Sequence, residues 1–198
     1  MVSSVRQIML ENVMFFNKKI LFILLIIIFP SKGIASIKNN IIQNLMNIQN
    51  LSFNFEQNIN GNIENGECTL EYPRKIFCSY DLNNKKILVS NGRSLVIKTL
   101  NSYYIYPIKK TPLNLILDKD FLITKIQGLN ERIIDEKFIN YIFFENENEI
   151  NLFFDTKTYN LIGWQTLDIY QNLSITYINS IIRNKELKKN LFKLPAQN

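Results

Sequence analysis

The stretch Leu51-Ser52-Phe53-Asn54-Phe55-Glu56-Gln57-Asn58-Ile59 decides the fold. Leu51, Phe53, Phe55 and Ile59 share one parity, and Ser52, Asn54, Glu56 and Asn58 the other. That period of two wets one face of a β-strand and buries the other. Beyond it, Gly61-Asn62 turns the chain into a second strand over residues 63–72, with Gly66 as a bulge or twist point. Pro73-Arg74-Lys75 turns it again into residues 76–80, and Asn83-Asn84 marks the next turn. Residues 85–90 and 93–99 flank Asn91-Gly92, the strongest short hairpin signal in the chain. A Tyr-rich strand follows over 102–106.

Thr111 reads as the N-cap of a short helix that begins at Pro112, where a missing N–H costs nothing. Leu113, Leu115, Ile116 and Leu117 make that helix apolar nearly all round, so it is buried or lies as a lid over the sheet. Phe121, Leu122 and Ile123 also point to inward packing, without a clear element. Upstream, Ser36 reads as the N-cap of a helix over 37–49, whose stripe is Ile37, Ile41, Leu45 and Ile48. Downstream, strands are predicted over 137–145, 150–155, 161–170 and 173–182. Leu187, Leu191, Phe192 and Leu194-Pro195 close the chain as a turn of helix docking back. The fold class is therefore mainly β with α. About ten antiparallel strands in meander order form one wide sheet that curls into a barrel or half-barrel, with the helical pieces plugging its concave side.

Lys18 and Lys19, an apolar run over residues 20–29, and Gly33 and Ala35 form the three regions of a secretory signal, with cleavage before Ser36. The apolar run falls short of the ~20 residues that span a bilayer. Met14 is an alternative start that leaves a signal of ordinary length. The first cysteine after the run is Cys68, so no lipobox is present. The expectation is export to an oxidising compartment and one domain over 36–198. The net charge of +6 rests on 23 basic and 17 acidic residues. Residues 1–35 hold four of the bases and one of the acids, which leaves +3 for the rest, too mild to argue for nucleic acid. The chain has no histidine and two cysteines, which argues against a Cys/His zinc site and excludes a histidine-based catalytic set. Asp118 with Asp120, and Glu145 with Glu147 and Glu149, are carboxylate pairs on paper, and the second set sits in a turn, where its charges are simply solvated. No phosphate-binding glycine loop and no G-x-S-x-G occur. Neither an enzyme nor a cofactor is expected.

Cys68 and Cys78 stand symmetrically about Pro73, so a three-residue loop would set them opposite one another. They are either a cross-strand disulfide or two buried thiols. Tyr103, Tyr104 and Tyr106 read as a cavity wall or rim, each with one apolar and one wet end. Phe53, Phe55, Leu70, Leu88, Val96, Tyr104, Leu113 and Leu117 either pack one another or line a pocket for a small apolar ligand.

The order of these pieces resembles the periplasmic outer-membrane lipoprotein carrier family, LolA-like, over nearly all of residues 37–195. The resemblance rests on Phe53-Asn54-Phe55-Glu56-Gln57, on Tyr72-Pro73 followed by Phe77-Cys78-Ser79-Tyr80, and on Ile87-Leu88-Val89-Ser90-Asn91-Gly92. It continues in Tyr106-Pro107 running into Thr111-Pro112-Leu113, in Leu152-Phe153-Phe154-Asp155, in Leu161-Ile162-Gly163-Trp164 and in Asp168. It implies an unclosed β-barrel with a helical lid over an apolar cavity. It also implies a task and partners: a monomer accepts the acyl chains of lipoproteins from an inner-membrane ABC exporter and delivers them to an outer-membrane receptor. In such a carrier Leu113, Ile116 and Leu117, with Ile41 and Leu45, form a mobile inner surface that refills the cavity as cargo leaves. The family usually places an Arg just before the proline of the second hairpin, where it latches the lid. Here Tyr72 holds that position and Arg74 lies two residues on, so either is the candidate latch. The alternatives are a non-enzymatic envelope-stress sensor or adaptor on the same scaffold, and a carrier of another lipid.

Overall fold

The computed structural model describes residues 36–145, 148–168 and 170–197. The export signal and the alternative start at Met14 lie outside the described residues. Helix α1 (Ile37–Met46) starts where Ser36 Oγ accepts the Asn39 N–H at 3.2 Å, the cap foreseen from sequence. Six strands follow as a meander: β1 (Asn50–Ile59), β2 (Asn62–Glu71), β3 (Lys75–Tyr80), β4 (Ile87–Asn91), β5 (Ser94–Lys98) and β6 (Tyr103–Pro107). A 3₁₀ turn (Ile108–Lys110), a short helix α2 (Leu113–Ile116) and helix α3 (Lys119–Gly128) cross over to β7 (Arg132–Ile134). The chain then runs through β8 (Phe138–Glu145), β9 (Asn148–Asp155), β10 (Leu161–Leu167) and β11 (Leu173–Arg183).

All strands join one antiparallel sheet of 11, in the order β6-β5-β4-β3-β2-β1-β11-β10-β9-β8-β7. Its centre is the long strand β1, paired with β2 on one side and β11 on the other. The outermost strands, β6 and β7, are its edges, so the sheet is an open half-barrel with helices. A bulge between β1 and β11 falls where Ser180 takes φ +53°. At Gly66 the pairing runs without interruption, so the expected bulge is absent there. A Cβ at that position would lie 2.1 Å from the Ser79 carbonyl oxygen, and this crowding is what requires the glycine. Gly92 turns the β4–β5 hairpin at φ +92°.

Thr111 does not cap α2. Its hydroxyl donates to the Ile108 carbonyl at 2.8 Å and closes the 3₁₀ turn instead. The segment that the sequence left unassigned is α3, capped by Asp118, whose Oδ1 accepts the Phe121 N–H at 3.2 Å. The C-terminal residues form no helix. They run along the outer face of the sheet, where Tyr103 donates to the Pro195 carbonyl at 3.2 Å and the Lys75 ammonium lies 5.9 Å from the Phe192 ring.

Helices α1 and α3 cover the concave side against β8–β10. Asn44 of α1 donates to the Thr158 carbonyl in the β9–β10 turn at 2.7 Å. Phe121 of α3 meets Phe143 of β8 edge-on at 5.9 Å, and Lys125 pairs with Glu145 at 2.7 Å. Between them Ile41, Leu45, Leu122, Ile126, Tyr141 and Phe154 are almost fully buried. Each such side chain contributes ~1.5–3 kcal/mol by leaving water.

Candidate functional site

Buried apolar side chains occupy the concave side under α1 and α3, and a hollow lies beside them under α2. There the inward faces of β1–β5, with β10 and β11, line an open cavity of about 260 Å³. Its apolar wall is Phe53, Phe55, Ile76, Leu88, Leu95 and Ile97. Phe55 stacks edge-to-face on Tyr80 at 5.0 Å. Burial, and secondarily the nearby Glu64, push the Tyr80 hydroxyl pKa far above the ordinary tyrosine value, so the ring stays neutral. Trp164 of β10 closes one side, and Thr111, Pro112 and Leu113 form the roof. Cys68 and Cys78 face each other across β2 and β3, are joined by a disulfide and form part of the same wall.

The roof segment is fastened at both ends. At its start the Ile108 N–H donates to the Arg93 carbonyl at 3.0 Å. At its end three bonds converge from the β2–β3 turn. The Arg74 guanidinium donates to Asn114 Oδ1 at 3.0 Å and pairs with Asp118, and the Arg74 N–H donates to the Leu117 carbonyl at 2.9 Å. Arg74 is held at φ +64°, with its own carbonyl accepting the Ser90 hydroxyl at 2.7 Å. The Tyr72 hydroxyl is buried and bonded to nothing among the described residues, and burial pushes its pKa well up. Arg74 therefore takes the contact with the roof, and Tyr72 does not. Across the opening, the Tyr106 and Tyr170 hydroxyls approach to 3.4 Å, and this contact first, with partial desolvation and the charges of Tyr170 and Tyr104 behind it, raises the Tyr106 pKa to about 12.

Of the residues singled out from sequence, Phe53, Phe55, Leu88, Tyr104 and Leu113 line the cavity. Ile41, Leu45, Leu70, Ile116 and Leu117 are buried in the core beside it and do not line it. Val96 was expected inside. It pairs with Val89 and Ile105, has the opposite parity to Leu95 and Ile97, and lies on the outer face. Sequence reasoning missed Ile76, Leu95, Ile97, Trp164 and a polar patch of Gln57, Thr166, Ser174 and Thr176. Of the apolar members only Ile76 carried a usable signal, through the parity it shares with Cys78; Leu95 and Ile97 have the opposite parity to Val96, the residue placed inside. Among the described residues there is no cluster of His, Cys, Asp or Glu that could hold a metal, and no helix is long and apolar enough to cross a membrane.

The site is thus an open antiparallel sheet curved around an apolar hollow and roofed by a short tied-down helix. The chain belongs to the family described as outer membrane lipoprotein carrier protein LolA, whose model matches residues 46–195. No curated protein matches. Similar solved structures are all of low identity. An uncharacterized conserved protein from Thermus thermophilus is 9% identical, with 82% of this chain and 93% of that chain covered and a TM-score of 0.48. A LolA superfamily protein from Nitrosomonas europaea is 6% identical, with 79% and 97% covered and a TM-score of 0.41. A putative outer membrane lipoprotein-sorting protein domain from Vibrio parahaemolyticus is 8% identical, with 77% and 94% covered and a TM-score of 0.44.

Proposed function

We propose that this protein is a periplasmic carrier. It takes up the acyl chains of lipoproteins released by an inner-membrane ABC exporter and passes them to an outer-membrane receptor. The observation that carries the reading is the roofed apolar hollow in a chain of the lipoprotein-carrier family. A fatty chain gains ~0.8 kcal/mol per CH₂ removed from water, so crossing an aqueous space requires such a shelter. The export-type leader expected over residues 1–35 supports the location.

The size of the hollow supports a moving roof. An apolar cavity of ~150 Å³ accommodates benzene, which has six carbons. By that measure 260 Å³ holds about ten, less than one long acyl chain and far less than three. Loading therefore displaces α2 and opens the space now filled by Leu113, Ile116 and Leu117, and with them Ile41 and Leu45. Emptying reverses this: the same side chains repack, and their burial offsets the loss of cargo without a nucleotide.

Mass spectrometry of the protein isolated intact from its native compartment tests the reading. Co-purifying acylated protein supports the carrier. Free phospholipid as the sole ligand replaces it with a carrier of another lipid. Isolation without any acyl compound, and failure to take up an acylated peptide afterwards, overturns it in favour of a sensor or adaptor.

A further inference from the structure

The cavity wall is not uniformly apolar. Where β1, β11 and β10 run side by side, Gln57 pairs with Thr176, Trp164 with Thr176, and Thr166 with Ser174, and all line the hollow. Ser174 and Thr176 are 3% exposed and Thr166 is 7% exposed. Gln57 Nε2 donates to Ser174 Oγ at 3.0 Å and to Thr176 Oγ1 at 3.1 Å, which spends both amide hydrogens. Among the described residues neither hydroxyl hydrogen then has an acceptor, and Thr166 Oγ1 is buried without a hydrogen-bond partner. Turning the Gln57 amide over exchanges the roles. Its oxygen would accept both hydroxyls, and its NH₂ would become the unspent donor. In either arrangement the patch keeps three unspent donor hydrogens.

The charged groups near it are already engaged. Lys86 pairs with Glu64 and sits 4.1 Å over the Tyr80 ring. Asp168 accepts from the Tyr170 and Asn172 backbones at 2.7 and 2.9 Å, and from the Asn172 side chain at 3.2 Å. What remains is neutral and still has hydrogens to donate. An unsatisfied buried donor costs free energy that an acceptor recovers, whereas an ionised carboxylate would meet no free cation here.

We infer that Gln57, Thr166, Ser174 and Thr176 form a subsite that hydrogen-bonds the neutral carbonyl oxygen of an acyl ester or amide, while the chain attached to it lies along Phe53, Phe55 and Leu88. The subsite rests on the carrier reading and adds to it the point at which cargo is gripped. It fixes how deep a chain enters, because only one end of the chain has an oxygen to offer.

The test compares ester with ether. A dipalmitoyl lipopeptide and a dipalmitoyl phosphatidylglycerol are each titrated against the dihexadecyl ether of the same head group. The titrations use the wild-type protein and the variant Thr166→Val, Ser174→Ala, Thr176→Val. Wild type is expected to prefer each ester on the order of fivefold, the worth of about one net hydrogen bond. The variant is expected to lose the preference while keeping its affinity for the ethers. Preference for the lipopeptide ester alone assigns the subsite to acylated protein. Preference shared by the phospholipid assigns it to the glyceryl ester common to both. Equal binding of ester and ether by wild type, or a preference that survives in the variant, overturns the subsite and leaves the carrier reading intact. Failure of wild type to bind either tail overturns the carrier reading itself. Thr166→Val alone, which removes only the unpartnered hydroxyl, serves if the triple variant does not fold.

Discussion

Arg74, at the tip of the β2–β3 turn, forms an ion pair with Asp118, the residue that caps α3 just beyond the roof of the cavity. Both side chains are partly shielded, at 30% and 19% exposure, so the pair is stronger than a surface contact. The same guanidinium also holds Asn114 within α2. One residue therefore ties two parts of the roof to the rim of the sheet.

Replacing Arg74 with Ala is expected to raise hydrogen exchange at the Leu115 and Leu117 amides on the order of tenfold, the worth of a charge-assisted hydrogen bond. Amides of β1 and β11 should be unchanged. Arg74→Lys should restore little, because an ammonium cannot span Asn114 and Asp118 as a planar fork does. Exchange spread evenly over the sheet would show a global effect and not a roof fastening.

The Cys68–Cys78 bond closes a short loop, the two positions being 10 apart in sequence. Chain-entropy arguments assign such a loop ~3 kcal/mol. The pair Cys68→Ala, Cys78→Ala should lower the urea midpoint accordingly. Adding a reductant should shift wild type toward the variant and leave the variant unmoved.

Gly66 lies against the Ser79 carbonyl and the Phe55 ring, which a Cβ would meet at 2.1 and 2.9 Å. Gly66→Ala should therefore cost ~1–3 kcal/mol as an overpacking change, seen in the urea midpoint. Gly61→Ala meets no neighbouring atom, and its cost should come only from the φ of +88°.

Asp155 accepts the Thr158 N–H at 2.6 Å and the Thr158 hydroxyl at 2.7 Å, and the Lys157 N–H at 3.1 Å. These bonds, the Thr158 N–H first, lower its pKa from 3.8. A lowered folded-state value means that the ionised carboxylate stabilises the fold above the unfolded value, and that this stabilisation is lost as pH falls through the folded value. Asp155→Asn should therefore lower Tm at pH 7, and the gap from wild type should shrink below pH 3.8.

With no histidine in the chain, no side chain titrates between pH 6 and 8 at its ordinary value. Affinity for an acylated peptide should be flat across that range by fluorescence titration. A transition there would implicate a group shifted by loading.

Much of the half-barrel was legible because alternation and turn chemistry agree in β1, in the Asn91-Gly92 hairpin and in the helix capped by Ser36. The faces were less legible where alternation lapses. Leu95-Val96-Ile97 is apolar at every position, so only its register with β4 and β6 decides which side faces in. Helix α3 had a readable signal in Asp118 followed by Leu122 and Ile126 at a spacing of four, which the adjoining apolar residues masked. The latch was illegible between Tyr72 and Arg74 because a turn's local conformation, and not residue spacing, aims its side chains. The polar patch was missed because Gln57, Thr166, Ser174 and Thr176 come together only across three strands.

Leaving β6 and β7 unjoined has a mechanical result. A sealed ring of strands has a set circumference, and widening it breaks ladder hydrogen bonds. Here the two rims can spread or draw in while every interior rung stays made. The enclosure can thus adjust its girth by bending, and the resistance it offers resides in the helices that bridge the gap.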